Sequence, residues 1–166
     1  MKNIFSIIIT LFLGHILQAQ VYPHALGVRV STDGERVGIE GSFQKGFALN
    51  KRVEFDLGMK KETVVDQDIE EIKRIFLATS YQMCFNLSGG LNCFAGGGTM
   101  VGVDSIESIQ KGNFSLSMLG QLGVEYDFAG IGIPLLLTID TRPTVDVVSK
   151  IDDISIGVGF GARYIW

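Results

Sequence analysis

Eight charged residues share an unusual setting in this sequence. Arg29, Glu40, Glu54, Asp56, Glu125, Asp140, Arg142 and Arg163 each fall at alternate positions among Gly, Ser, Thr and Gln, opposite an apolar face. Mixed signs on such small-residue faces suit a confined interior, where charges removed from water must neutralise one another. Other residues able to do chemistry are sparse. His24 is the one histidine after residue 19, and the serines are scattered without a partner motif. A nucleophile beside a base, which ester or acyl chemistry requires, has no local signature. Gly96-Gly97-Gly98 lacks the Gly-Lys-Ser/Thr ending and the following helix of a phosphate loop.

Cys84 and Cys93 flank Asn86-Leu87-Ser88-Gly89-Gly90. A two-residue turn at Ser88-Gly89 would set the two cysteines directly opposite each other. In an exported chain they would then be placed for a disulfide. Two small apolar residues packed side by side is the equal alternative. No His or further Cys lies near enough to make a metal site, and no cofactor is expected.

The elements that carry these residues read as strands. The last one, Ile154 to Trp166, alternates Ile154, Ile156, Val158, Phe160, Ala162, Tyr164 and Trp166 against Ser155, Gly157, Gly159, Gly161 and Arg163, with Ile165 the large apolar exception. Period-two alternation of this length predicts a strand with one apolar face. Seven earlier stretches alternate in the same way: from Ala25, Val37, Arg52, Ile75, Leu91, Ser115 and Pro134. Asp33-Gly34 and Ser88-Gly89 are turn signals. Lys61 to Lys73, Asp104 to Asn113 and Pro143 to Asp153 read as longer polar loops. Short connections follow strands two, four and six, and longer ones follow three and five. That asymmetry predicts an all-β, eight-stranded antiparallel up-and-down transmembrane β-barrel, with short periplasmic turns and longer outer loops.

Two observations set the compartment. Met1-Lys2-Asn3 precedes an apolar run from Ile4 to Leu17, too short to span a bilayer, with small residues at its end. It predicts a signal peptide over residues 1–19 and a barrel domain over 20–166. Of the 14 basic residues of the chain, 13 follow that leader, against 18 acidic ones, and no basic run is present. Nucleic acid is therefore not expected as a partner. The choice between a barrel in lipid and one in water rests on the polar face. Its many glycines and single paired-looking charges are unlike a water-exposed sheet, which carries more Lys and Glu. Phe55, Tyr81, Tyr126, Tyr164 and Trp166 lie towards strand ends, as aromatic girdles do.

Val124-Glu125-Tyr126-Asp127-Phe128, Ile133-Pro134-Leu135-Leu136-Leu137, Asp140-Thr141-Arg142-Pro143 and the terminal Gly159-x-Gly161-Ala162-Arg163-Tyr164 resemble the small outer-membrane β-barrel domain proteins of Bacteroidota, barrels of the OmpA type. The resemblance implies an address in the cell outer membrane and a fold; it carries no activity. The expected partners are the outer-membrane lipid bilayer and the barrel-assembly machinery, with Phe160, Tyr164 and Trp166 as the C-terminal insertion signal. The expected function is a structural or interaction role through the outer loops, with the lumen plugged by its ion pairs. A small or gated pore is the alternative, and a lipid-modifying enzyme using His24 the least favoured.

Overall fold

The computed structural model describes residues 24–33, 36–66, 68–106, 112–148 and 154–166, with side chains described in these outside 62–72, 106 and 112. The expected signal peptide lies outside the described residues. Eight strands follow in order: β1 (Ala25–Asp33), β2 (Arg36–Ala48), β3 (Lys51–Asp66), β4 (Asp68–Ser88), β5 (Leu91–Ile106), β6 (Gly112–Asp127), β7 (Leu135–Asp146) and β8 (Ile154–Ile165). Each pairs antiparallel with the next, and β8 returns to pair with β1 from Ala25↔Ile165 to Thr32↔Val158. The result is a closed up-and-down barrel, which leaves no sheet edge unpaired.

The register fixes how the strands lean. Followed one way from Val30, through Ile39, Met59, Ile75 and Val103, a hydrogen-bonded row reaches Phe114. Followed the other way, through Phe160 and Ile139, it reaches Val124, ten residues along the same strand. Such an offset requires strands tilted to the barrel axis.

Lys61 to Lys73, expected as a loop, is largely strand, and strand enters the expected loop Asp104 to Asn113 from both ends. Pairing of β3 with β4 continues unbroken from Lys60↔Arg74 to Asp66↔Asp68, and β5 and β6 pair as far as Ser105↔Gly112. Charged residues at consecutive positions interrupt the alternation in the first of these stretches, so no period of two marks it; the ladder simply propagates from the apolar part. Pro143, expected in the last loop, lies inside β7 and pairs with Ile156 of β8.

The β4–β5 turn also differs from expectation. It forms at Gly89-Gly90, both with positive φ (49° and 93°), the left-handed region open to glycine without a Cβ penalty. A register shift between Asn86 and Ser88 then sets Cys84 opposite Phe94 and Cys93 opposite Phe85. Cys84 points inward and is buried, Cys93 faces out, and both are free thiols. Neither the disulfide nor the side-by-side packing holds, because a one-residue slip in pairing puts the two side chains on opposite faces.

The two faces of the wall are inverted relative to a barrel in water. Outside, Val28, Leu57, Ile139 and Phe160 are exposed, at 53%, 63%, 56% and 50%. Inside lie the charged and amide side chains, with two apolar patches: Phe76, Ala78, Met100 and Leu119 along β4–β6, and Ala25, Leu136 and Ile165 at one end. That end holds both strand termini and the short connections Leu49-Asn50, Gly89-Gly90 and 128–134. It also holds the outward aromatic contacts, Phe43 with Phe55 (6.4 Å between ring centroids) and Trp166 (6.5 Å), Phe47 with Tyr81 (5.9 Å) and Tyr164 with Trp166 (6.1 Å).

Candidate functional site in the barrel lumen

Inward positions recur every second residue, so each strand delivers its polar side chains to one shared interior. The structure places all eight charged residues singled out above in that interior, each 6% exposed or less. They come together as one connected system rather than as isolated pairs.

Three arginines bridge strands that are not neighbours in the sheet. Arg29 of β1 donates from Nη1 to Glu40 of β2 (2.7 Å) and forks onto Asp140 of β7, Nε to Oδ2 at 3.0 Å and Nη2 to Oδ1 at 2.6 Å. Arg142 of β7 reaches across to Glu40 (3.4 Å), Glu54 (2.9 Å) and Asp56 (2.7 Å). Arg163 of β8 donates to Ser42 (2.9 Å), Thr138 (2.8 Å) and Glu54 (3.3 Å). Glu54 therefore accepts from β7 and β8 together, and from the amides of Gln44 and Gln121 as well (2.5 and 3.2 Å).

Local sequence makes these long reaches possible. The Arg29 guanidinium lies over Gly159 of β8 on its way to Asp140, and a Cβ at Gly159 would overlap it. Arg163 lies similarly against Gly161, with Nη1 only 2.7 Å from where a Cβ would stand. The alternate glycines of β8 thus form a floor on which two arginines lie flat.

Among the described residues, charged side chains that the sequence reading did not single out also join the interior. Arg52 meets Glu125 at 2.7 Å, donates to Gln82 at 2.5 Å and stacks over the Phe94 ring at 4.9 Å. Its parity with Glu54 and Asp56 on β3 was the available signal. Nearer the loop end, Lys60 pairs with Asp33 (2.8 Å), while Arg74 holds Asp104 through two bonds (2.5 and 2.9 Å) and approaches Asp146 (3.7 Å). Ser117 donates to Asp146. Arg74, Asp104 and Asp146 stood in or beside stretches expected to be loops, so their alternation carried no signal.

Chemically, this is a set of carboxylates held by guanidinium groups. Charge-assisted, often forked bonds of this kind are strong and directional. They fix geometry; a general acid or base, by contrast, needs a cleft that admits a substrate. Among the described residues no group of three or more His, Cys, Asp or Glu is arranged to hold a metal ion. His24 sits at the short-turn rim, exchanging backbone hydrogen bonds with Trp166 (3.3 and 3.1 Å), its ring 6.1 Å from the indole. Phe160 and Tyr164 of β8 and Trp166 just after it all face outward.

No family model matches the chain, and no curated protein matches it in sequence. In structure it is similar to Neisserial surface protein A, at 12% identity and a TM-score of 0.60, over 87% of this chain and 95% of that one. It is similar also to the N-terminal β-barrel domain of Pseudomonas aeruginosa OprF (12%, TM-score 0.58, 89% of this chain and 100% of that one). A third is Ail, the attachment invasion locus protein of Yersinia pestis (13%, TM-score 0.57, 87% and 97%). The fold they share is the eight-stranded barrel of outer-membrane proteins.

Proposed function

We propose that this chain is exported by its N-terminal segment, residues 1–19, and sits in the cell outer membrane as a barrel closed to solutes, presenting its longer loops to partners. One observation carries the reading: Arg142, Glu54, Asp56, Glu40, Arg29 and Asp140 link β1, β2, β3 and β7 across the lumen by direct bonds. Interiors of eight-stranded barrels are just wide enough for side chains to fill. The apolar group Ala25, Leu136 and Ile165 closes the short-turn end beneath the charges. The exposed apolar exterior supports the membrane address, and the C-terminal motifs support kinship with the Bacteroidota barrels named above. Phe160, Tyr164 and Trp166 serve as the insertion signal read by the barrel-assembly machinery.

The test is conductance. Purified barrel refolded in a planar bilayer should give no stable single-channel steps in its resting form. Regular steps would replace the closed-anchor reading with the small or gated pore. An enzymatic role would instead require lipid hydrolysis that disappears in His24→Ala.

A further inference from the structure

The ladder between β6 and β7 is interrupted in mid-strand. It runs from Asp127↔Leu136 to Leu122↔Thr141 and resumes in the same register at Leu119↔Thr144. Gly120 and Gln121 therefore stand opposite Pro143 and Arg142 without ladder pairing. Among the described residues the other seven ladders cross the middle of the wall without a gap, and their two register shifts lie beside turns.

One missing donor accounts for both lost pairs. The carbonyl of Leu116 accepts from Val147, so even-numbered residues of β6 turn their backbone groups toward β7. The Gly120 carbonyl is thus aimed at residue 143, where proline has no N–H to give. Proline in sheets is otherwise confined to edges, strand starts and bulges. Here it lies inside a closed wall, and on its other side the β7–β8 ladder is continuous through Pro143↔Ile156. Met118 and Leu122, the outward neighbours of Gly120 on β6, are exposed, so this point faces lipid, where no water replaces the donor.

Side chains close the gap from within. Gln121 Nε2 donates to Oε1 of Glu54 at 3.2 Å, and Arg142 Nη2 donates to the same oxygen at 2.9 Å. One buried carboxylate on β3 thus ties together two residues that lack a ladder pairing between them.

We propose that the β6–β7 junction at Gly120 and Pro143 is a lateral opening built into the wall, parting toward the bilayer, and that Glu54 is the clasp that holds it shut. The inference rests on the membrane-barrel reading above. Parting here leaves the axial path blocked, because Arg29 binds Glu40 and Asp140 independently of Glu54. Just inside the junction Leu119 joins Phe76, Ala78 and Met100, so lipid reaching through meets apolar side chains on the β6 side.

The experiment is residue-resolved amide exchange, read by NMR on the mature barrel in lipid nanodiscs. The N–H groups of Gly120 and Leu122 face β7, while those of Leu119 and Gln121, at the same depth, face the continuous β5 ladder. Protection factors of the first two should be lower by about tenfold or more, the worth of one hydrogen bond. Pro143→Val restores a donor and should bring the two sets level. Glu54→Gln should lower protection at Gly120 and Leu122 further and leave Leu119 and Gln121 unchanged. Equal protection in wild type, or no response to Pro143→Val, would overturn the opening. A uniform loss of protection in Glu54→Gln would overturn the clasp. Should that variant fail to form a barrel, Gln121→Leu, which removes one of the two bonds to Glu54, reads the same quantity. Heat-modifiable migration reports barrel formation separately, and its absence in wild type would count against the membrane-barrel reading rather than against the junction.

Discussion

Arg29 and Asp140 meet through two parallel hydrogen bonds, although β8 lies between their strands. The bridge exists because Gly159 leaves the wall bare beneath the guanidinium. Gly159→Ala should therefore destabilise the barrel by about 1–3 kcal/mol through overpacking. The penalty should shrink when Arg29 is already Ala, since the overlapping group is gone. A double-mutant cycle on urea unfolding in lipid vesicles measures this coupling. Additive penalties would show that Gly159 matters for some reason other than Arg29.

Arg142 is the cation through which Glu40, Glu54 and Asp56 are tied to β7. Arg142→Ala leaves buried carboxylates short of a partner, at a cost of about 3–5 kcal/mol. It also opens a path lined by acid. The variant should unfold at lower urea and, in a planar bilayer, pass cations in preference to anions. A stability unchanged from wild type would mean that Arg29 and Arg163 suffice to neutralise the three acids.

Replacing Tyr164 and Trp166 together by Ala removes stacked rings from the short-turn rim, where Trp166 also contacts Phe43 and His24. Insertion should fall, seen as less heat-modifiable protein in the outer-membrane fraction. Wild-type abundance there would reject the aromatic anchor.

The thiols offer a check on the register. Cys84 is buried in the interior and Cys93 faces outward opposite Phe85. Mild oxidant should leave the folded barrel without an intramolecular disulfide. A lipid-soluble maleimide should label Cys93 in the folded state, and Cys84 only after unfolding. A disulfide formed in the folded state would require the β4–β5 ladder to be paired one residue differently.

Much of this architecture was legible from alternation. On β6, Gln121 and Glu125 face in while Leu122, Val124 and Tyr126 face out, as period two requires. Where charges fall at consecutive positions the alternation breaks, and Lys61 to Lys73 reads as loop although most of it is paired strand. The turn at Gly89-Gly90 was misplaced by one residue because Ser88-Gly89 and Gly89-Gly90 are both acceptable turn dipeptides. The shift between Asn86 and Ser88 has no sequence mark. The charged residues could be assigned to a common face; their partners could not. Which strand Arg142 reaches depends on barrel closure and tilt, and neither is encoded locally.

The seam between β1 and β8 bears on the order of assembly. Arg29 finds Glu40 only 11 positions away in its own hairpin, but Asp140 lies 111 positions away. The first contact is available as soon as β1 and β2 pair; the second waits until nearly the whole chain has been delivered. Loop-closure entropy makes such distant contacts slow to form. Until then Arg29 holds Glu40 alone, and the forked bonds from its Nε and Nη2 are made only on closure. The same side chain is thus a local staple early and a latch at the end. An incomplete chain that stops short of Asp140 has nothing to latch onto.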